Sequence, residues 1–189
     1  MRRGLDVLIA SLGLVLLSPV LAAAILAIRL ETPGPAIYRQ RRVGMGGRPF
    51  ELYKLRTMVQ GADPVGIGKP VAVGDPRVTR VGALLRRLSL DEVPNLVNVL
   101  RGEMAIVGPR PTIAAQVERY TPRQRRRLEV KPGMTGWAQV NGRAALPWED
   151  RIELDIWYVE HRSLWLDLRI LSRTARLLLT GKGLTREAA

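Results

Sequence analysis

Residues 86–111 read RRLSLDEVPNLVNVLRGEMAIVGPRP, and this stretch decides how the chain is organised. Two adjacent carboxylates, Asp91 and Glu92, precede an apolar run with helical spacing. Ser89 or Asp91 can serve as the N-cap, and Ser89 with Glu92, three residues on, fits a capping box. Pro94 is tolerated only in a first helical turn. We therefore predict that a helix starts close to Asp91, where free N–H groups and the helix dipole lower the pKa of both carboxylates.

The surroundings of this acidic dyad, Asp91 and Glu92, are basic, with arginines at positions 86, 87, 101 and 110. Arg110 stands between Pro109 and Pro111, which stiffen the backbone and restrict where the guanidinium points. Carboxylates among guanidiniums suit a site that handles phosphate together with a divalent cation. Taken alone, however, the dyad is better explained as a helix start whose acids offset the dipole.

Length and composition narrow the class of protein. The 189 residues predict one domain, and 30 Lys and Arg against 17 Asp and Glu give a net charge of +13. Such a charge indicates an anionic partner: nucleic acid, an anionic membrane surface or a phosphorylated substrate. A single Phe argues against base stacking by a nucleic-acid binder. With no Cys and one His (His161), zinc chemistry is not expected and catalysis is left to carboxylates.

The N-terminal region carries an uncharged run of 22 residues, 7–28, which exceeds the ~18 residues that mark a membrane-helix candidate. Three interpretations compete: a cleaved signal peptide, a helix that crosses the bilayer, and a helix that enters one leaflet and returns. The run continues beyond the Ala22–Ala24 cleavage-like site, which argues against a signal peptide. Arginines lie on both sides of the run, so both ends favour the cytoplasmic side, and this charge pattern favours the returning, re-entrant helix.

Ser18-Pro19 lies near the middle of this run and is the predicted break of the re-entrant helix. Proline removes one backbone hydrogen bond, and the Ser18 hydroxyl can satisfy the carbonyl that is left. An ordinary Pro kink in a spanning helix explains the same pair equally well. We predict a re-entrant helix-break-helix over residues 1–31 and a cytoplasmic, membrane-associated catalytic region over 32–189, together one domain.

The remaining sequence predicts an α+β fold that is mainly helical. Two β-prone runs, residues 36–41 and 49–55, are joined by a Gly-rich turn and predict a small hairpin. A very basic helix is expected over 116–130. Residues 164–179 carry apolar residues on one side and arginines on another, as in a helix in a membrane interface or one packed on the core. Residues 131–143, KPGMTGWAQVNGR, combine glycines with Thr135 and Gln139 and predict a loop that cradles a nucleotide.

Several motifs together resemble a known family, the bacterial sugar transferases, which are monotopic polyprenyl-phosphate phosphoglycosyl transferases. The motifs are SLDEVPNLVNVLRGEMAIVGPRP, the apolar run with Ser18-Pro19, QRRVG, KLRTM, KPGMTGWAQVNGR and ELDIWYV. They occur in the family's order over residues 2–183, essentially the whole chain. The chain looks like the short form of the family, a catalytic domain with amphipathic interfacial helices around an active site at the membrane surface.

The resemblance implies a reaction. Members of the family transfer a sugar-1-phosphate from a nucleotide diphosphate sugar, usually a UDP-sugar, to polyprenyl (undecaprenyl) phosphate and release UMP. Asp91 would be the nucleophile that forms a covalent phosphosugar–aspartyl intermediate, and Glu92 would support it. Mg²⁺ is the implied cofactor, with Asp91 and Glu92 as its candidate ligands. The implied location is the cytoplasmic face of the bacterial inner membrane, at the first membrane step of glycoconjugate synthesis.

The same resemblance supplies candidate substrate-binding residues. Arg86, Arg110 and Arg143 would neutralise phosphate charge, and Asp167 matches an acidic position of the family near the substrate. Thr135 and Gln139 join them from the glycine-containing loop. No nucleic acid is expected as a partner, and a homo-oligomer is compatible with the sequence. A nucleic-acid-binding protein would leave the apolar run and the dyad unexplained, and a membrane scaffold would leave the dyad without a purpose.

Overall fold

The computed structural model describes residues 2–62, 74–142 and 146–180. Within them the chain is mainly helical with short strands, which confirms the predicted fold class. In chain order the elements are α1 (Arg2–Glu31), β1 (Ile37–Val43), β2 (Pro49–Leu55), α2 (Arg80–Arg87), α3 (Asn95–Arg101), β3 (Ala105–Val107), α4 (Ala114–Val117), α5 (Pro122–Arg125), β4 (Gly133–Thr135), α6 (Trp137–Val140), α7 (Trp148–Glu160) and α8 (Leu164–Thr180).

Helix α1 lies against the rest of the protein over its whole length. Near its start, the Arg3 guanidinium donates to the Val99 carbonyl (2.5 Å) at the end of α3. At its other end, the Glu31 carboxylate accepts from the backbone N–H of Arg80 (2.7 Å) in α2. Between these points α1 contributes to two hydrophobic clusters, one with α3, β2, β3, α7 and α8 and one with β2 and α2. Both ends of the apolar helix therefore contact the same body.

The other side of α1 is apolar and uncovered. This is the one helix of the described residues that is long and apolar enough to cross a membrane. Its exposed large side chains are Leu5, Val7, Leu8, Ile9, Leu12, Val15, Leu16, Val20, Leu26 and Leu30. An exposed apolar strip of this length is rare on soluble monomers and indicates contact with lipid or another apolar surface.

The predicted break at Ser18-Pro19 is not a gap between two helices. The helix continues from Arg2 to Glu31 with Pro19 inside it. Pro19 has no N–H to give to the carbonyl of Val15, and the Ser18 hydroxyl donates to that carbonyl instead (2.8 Å). The predicted hydrogen bond from the Ser18 hydroxyl to the carbonyl left by Pro19 is thus confirmed. The re-entrant course of residues 1–31 and the domain limits at 1–31 and 32–189 stay predictions.

The predicted hairpin is confirmed. Strands β1 and β2 pair antiparallel, with Gln40 opposite Leu52 and Arg42 opposite Phe50. Because side chains alternate along a strand, Gln40 and Arg42 lie on one face with these two buried residues, while Arg41 lies on the other.

The prediction of one helix over residues 116–130 is wrong. The segment holds the end of α4, then α5, then a 3-10 turn at Arg126–Leu128. The physical reason is Pro122, which starts a new helix at its first position behind a capping box formed by Thr121 and Gln124. The prediction for 164–179 is confirmed as helix α8, in which Leu166 and Ile170 are buried while Trp165 and Leu179 are exposed.

Strands β3 and β4 pair in parallel and bring residues 131–142 beside the segment that carries Arg110. Glycine is required at this junction. A Cβ on Gly133 would lie 2.1 Å from the Gly108 backbone nitrogen, and one on Gly108 would lie 2.4 Å from the Lys131 carbonyl. The backbone approach lets the Gly133 N–H donate to the Pro109 carbonyl (2.8 Å), directly before Arg110.

Candidate active site

The acidic dyad follows an unusual turn. Ser89 adopts a left-handed conformation (φ 56°) and is the non-glycine residue with positive φ in the described chain. A 3-10 turn at Leu90–Glu92 follows, and α3 begins only at Asn95. The predicted capping box is therefore wrong, because Ser89 makes no side-chain cap bond and Glu92 points elsewhere. Strained conformations of this kind concentrate at functional sites, where the surrounding structure imposes them.

Glu92 is held by two cations on one oxygen. Its Oε1 accepts from Lys54 Nζ (2.7 Å), on β2, and from Arg110 Nη2 (2.8 Å), on the loop after β3. Burial alone would raise the pKa of Glu92, but Arg110 and Lys54 outweigh it and hold the pKa well below the usual range. The predicted lowering of the pKa is thus confirmed for Glu92, although its cause is the two side-chain cations.

Asp91 has a different environment. No hydrogen bond or ion pair joins its carboxylate to another residue of the described ranges. Burial, and then the charge of Glu92, raise the pKa of Asp91, against the opposing charges of Lys54, Arg86 and Arg110. The predicted lowering of this pKa is therefore wrong, because desolvation and a like charge outweigh the nearby cations. A carboxylate left basic and unpaired beside cations can attack an electrophile.

A cavity opens beside Glu92 and is walled by three cations. The lining residues are Arg42, Leu52, Lys54, Glu92, Asn95, Met104, Arg110, Pro111, Gly133 and Met134. Lys54 and Arg110 face Glu92, while Arg42 is held by neutral oxygens of Gln40 and Pro111. Such a wall fits an anionic group with several oxygens, which is the chemistry of a phosphate.

The backbone of Arg110 is fixed by a buried pair of charges. Arg127 donates to the Arg110 carbonyl (3.1 Å) and to the carboxylate of Asp155 on α7 (2.5 Å). Arg127 also donates to the hydroxyl of Tyr120, which donates in turn to Thr112 (3.2 Å). This network therefore holds the Pro-Arg-Pro segment at the point where its guanidinium meets Glu92.

The structure places the predicted substrate-binding residues at different distances from the dyad. Arg86 donates to Thr57 Oγ1 (2.8 Å) and is near enough for its charge to oppose the raised pKa of Asp91. Arg110 contacts Glu92 directly. Arg143 lies outside the described residues.

The other three predicted residues make contacts within the fold. Asp167 accepts from the Tyr158 hydroxyl (2.7 Å) and pairs with Arg2 of α1 (3.4 Å). Thr135 shares a hydrogen bond with Thr174 of α8 (2.7 Å). Gln139 donates to the Met134 carbonyl (3.0 Å), and Met134 in turn lines the cavity. None of these three side chains lines the described cavity beside Glu92.

Several residues of the site were not among the predicted catalytic, metal-binding or substrate-binding residues. They are Lys54, which pairs with Glu92, the cavity residues Arg42 and Asn95, and the supporting pair Arg127–Asp155. A signal for Lys54 was present in the sequence. It occupies the same alternating face of β2 as the buried Phe50 and Leu52, and a charged residue at an inward strand position needs a partner.

The dyad also fits a magnesium ion that is shared with a substrate. The described residues hold no group of three or more acidic or histidine side chains that could cage a metal. Mg²⁺, however, usually takes one or two carboxylates and completes its shell with water and substrate phosphates. Within the described residues, Asp91 and the second oxygen of Glu92 are free of ion pairs and would supply such a set.

The fold places an apolar helix and a carboxylate dyad on one body, and the cavity beside the dyad is walled by cations whose charge suits phosphate. Comparisons with known proteins agree. The family model described as "Bacterial sugar transferase" matches residues 1–181. The chain belongs to this family, and it is an enzyme that transfers sugar phosphates.

Curated relatives make the class more specific. The uncharacterized sugar transferase EpsL of Bacillus subtilis is 45% identical over 97% of this chain and 90% of its own length. A UDP-glucose:undecaprenyl-phosphate glucose-1-phosphate transferase of Caulobacter vibrioides is 46% identical over 95% of the chain and 70% of its own length. An Escherichia coli enzyme with the same description is 44% identical over 100% of the chain, which spans only 41% of that relative.

Proposed function

We propose that this chain transfers a sugar-1-phosphate from a UDP-sugar to undecaprenyl phosphate and releases UMP, through a phosphosugar–aspartyl intermediate on Asp91. The relatives named for glucose transfer act on UDP-glucose and undecaprenyl phosphate. Another relative is named for N-acetylgalactosamine, so this reaction is proposed for a UDP-sugar as a class. The observation that carries the role of Asp91 is the asymmetry of the dyad, in which Glu92 is neutralised and Asp91 is unpaired.

In the first proposed step, an oxygen of Asp91 attacks the β-phosphorus of the UDP-sugar. The bond between this phosphorus and the bridging oxygen breaks, and UMP leaves with the electron pair. In the second step, a phosphate oxygen of the polyprenyl phosphate attacks the same phosphorus and frees the Asp91 carboxylate. The raised pKa of Asp91 favours it as nucleophile, whereas both cations on Glu92 Oε1 reduce the nucleophilicity of that carboxylate.

Charge is the main barrier to attack of a carboxylate on a diphosphate. Arg110 and Lys54 hold Glu92 ionised and leave positive charge at the edge of the cavity, where the phosphates would lie. Arg86 adds a further cation near Asp91. We propose that Asp91 and Glu92 also hold Mg²⁺ with the diphosphate, and this ion would supply further neutralisation of the phosphate oxygens.

The proposed location is the cytoplasmic face of the bacterial inner membrane, with α1 inserted as a re-entrant helix. Support comes from α1 itself, whose two ends contact one body while its other face exposes leucines and valines. A helix that crossed the bilayer in a straight line would need its ends on opposite sides. Residues Trp165 and Leu179 of α8 expose apolar surface that suits the same interface.

The test is product analysis with a panel of UDP-sugars, undecaprenyl phosphate and Mg²⁺ in detergent or nanodiscs. The proposal predicts UMP release with at least one sugar, abolished by EDTA and by omission of the acceptor under multiple-turnover conditions. Release of UDP would show a glycosyl transfer and contradict the mechanism. No turnover with any donor would contradict the proposed reaction.

A further inference from the structure

Arg42 is a charged side chain whose surroundings are incomplete. Its Nε and Nη2 donate to the Gln40 amide oxygen (3.1 and 2.6 Å), and its Nη1 donates to the Pro111 carbonyl (3.2 Å). These bonds use three of the five N–H donors of a guanidinium, all on neutral oxygens. Arg42 forms no ion pair with a carboxylate in residues 2–62, 74–142 and 146–180. The geometry thus orients the guanidinium without neutralising it.

The surroundings of Arg42 disfavour its positive charge, and a bound anion would offset this. Burial and then the neighbouring Arg110 lower the pKa of Arg42 to about 10, although Tyr38 and Glu92 oppose the shift. Two guanidiniums that repel each other at one wall are commonly found where an oxyanion binds between them.

The charge of the cavity indicates how much anion it would take. Its lining holds Arg42, Lys54 and Arg110 against Glu92 alone, which leaves two positive charges in excess. Asp91 adjoins this lining, and its charge is offset by the nearby Arg86. A ligand with about two negative charges would therefore balance the cavity, as a phosphate monoester or a diphosphate diester does.

Asn95 provides an independent sign that the cavity receives a ligand. Its side-chain oxygen is buried and has no hydrogen-bond partner among the described residues. It lies three residues after Glu92, on the same side of the helical turn, and lines the same cavity. Buried amides in native proteins are nearly always bonded, so an unpartnered one at a cavity wall indicates a group that arrives with a ligand or with its bound water.

We propose that Arg42, oriented by Gln40, is a phosphate-binding residue of this cavity and forms with Arg110 a subsite for a substrate phosphate. The ligand class is a phosphate or diphosphate carrying about two negative charges. In the proposed reaction it is either the diphosphate of the sugar donor or the phosphate of the polyprenyl acceptor. Two measurements test this subsite, pyrophosphate binding and enzyme kinetics, and only the kinetics rest on the proposed function.

The alternative is that Arg42 only ties β1 to Pro111. Arg41 supplies a matched control, because it is the adjacent arginine on the same strand, is exposed and lies on the opposite face of the hairpin. We would compare Arg42→Gln with Arg41→Gln, both in the full chain in detergent. The first readout is the rise in melting temperature on titration with inorganic pyrophosphate at constant ionic strength.

We expect Arg42→Gln to weaken pyrophosphate binding by about tenfold to a hundredfold, the range for loss of charged hydrogen bonds. Arg41→Gln should stay within about twofold of the wild type. Arg42→Lys keeps the charge but lacks the planar guanidinium, so we expect a smaller loss of pyrophosphate affinity, about threefold to tenfold. This variant tests the same subsite if Arg42→Gln fails to fold. Wild-type protein that does not bind pyrophosphate, or Arg42→Gln that binds it like wild type, would overturn the subsite.

The kinetic arm identifies which phosphate is bound. A KM that rises about tenfold for the UDP-sugar, with the acceptor KM unchanged, assigns the subsite to the donor diphosphate, and the reverse pattern assigns it to the acceptor. A lowered kcat with both KM values unchanged would mean that Arg42 contacts the phosphate in the transition state only, and unchanged kcat and KM values would overturn the subsite. If the wild type turns over no sugar donor, the proposed function fails, while pyrophosphate binding still decides the subsite.

Discussion

Two clusters of opposite charges meet at residue 110, one at its backbone carbonyl and one at its guanidinium. In the first, Arg127 and Asp155 are both buried, with side-chain exposures of 8% and 4%, and the guanidinium donates to the Asp155 carboxylate, the Tyr120 hydroxyl and the Arg110 carbonyl. In the second, Arg110 meets Glu92 at a cavity, and half of the Arg110 side chain is exposed. The buried pair Arg127–Asp155, the closed cluster, holds the backbone of Arg110 in place. Glu92 with Arg110 and Lys54, the open cluster, borders a cavity where a ligand can contact the cations.

The contrast extends to the two acids of the dyad. Glu92 has two cations on one oxygen, whereas Asp91 is in direct contact with no cation of the described residues. The ionised Asp91 therefore lowers the free energy of unfolding, because burial disfavours its charge and no cation contacts it among the described residues. Natural proteins retain costs of this kind where function requires them.

The largest expected effect comes from removing the unpaired acid. Asp91→Asn should lower kcat for UMP release by about 10⁴-fold, since the proposed nucleophile is lost. The variant should melt at or above the wild-type temperature, because the substitution removes a partly buried charge with a raised pKa. Asp150→Asn, an exposed acid of α7, is the control and should change neither quantity. Retained activity in Asp91→Asn would mean that another group attacks the phosphorus.

The closed cluster can be broken by Arg127→Met. This change leaves the Asp155 carboxylate buried and unpaired and removes a donor from the Arg110 carbonyl, so we expect a loss of about 3–5 kcal/mol in unfolding free energy. The double variant Arg127→Met, Asp155→Leu removes both charges and should recover most of that loss. Its kcat/KM should still stay below wild type, because Arg110 is no longer anchored. Full recovery of activity would contradict the anchoring role of Arg127.

Stability should also depend on pH in opposite directions at the two clusters. Burial raises the pKa of Asp155 to about 6 even beside Arg127, so its favourable contribution is present at low pH and is lost as pH rises from about 4 through 6. The pKa of Glu92 is lowered, so its contribution is present above about pH 4.5 and lost as pH falls below it. The contributions of Asp155 and Glu92 to stability can therefore be measured separately, because they change in different pH ranges.

Thermal unfolding of wild type and Asp155→Asn between pH 4 and 7 measures the first of these contributions. The stability advantage of wild type over the variant should shrink by about 1–3 kcal/mol as the pH rises, since one pKa unit corresponds to about 1.4 kcal/mol. The matching Glu92→Gln variant should differ from wild type increasingly as the pH rises to about 4.5 and change little above it. A constant difference for Asp155→Asn would show that its pKa is not raised.

The smallest effect is expected at an exposed ion pair. Arg123 and Glu153 lie 2.8 Å apart, yet more than half of each side chain is exposed. Arg123→Gln should change the unfolding free energy by less than about 1 kcal/mol and leave UMP release unchanged. A larger loss would mean that this contact between α5 and α7 belongs to the network that supports Arg110.

The parts of the fold with a local cause could be predicted from the sequence. The hairpin follows from alternating residues around a glycine turn, α8 from its periodic apolar side, and the bond from Ser18 to the Val15 carbonyl from Pro19. The segment 116–130 shows the limit of a composition-based prediction, because its many arginines suggested one helix while Pro122 started a second.

The electrostatics of the dyad could not be predicted in this way. Helix-start reasoning lowers both pKa values, whereas the outcome depends on Lys54 from β2 and Arg110 from the loop after β3, which meet at only one of the two acids. The left-handed Ser89, which moves the start of α3 to Asn95, is likewise imposed by the surrounding structure. Strand alternation can show that Lys54 needs a partner, but a local pattern does not show which of the two acids Lys54 and Arg110 reach.

The most direct test of the central claim is isotope exchange without the acceptor. Wild-type enzyme, a UDP-sugar that it turns over, Mg²⁺ and labelled UMP would be incubated with no polyprenyl phosphate present. If Asp91 takes the sugar phosphate before the acceptor binds, label should appear in the UDP-sugar, and Asp91→Asn should abolish the exchange while Asp150→Asn retains it. Exchange that appears only when polyprenyl phosphate is present would show direct transfer between substrates and contradict a covalent intermediate on Asp91.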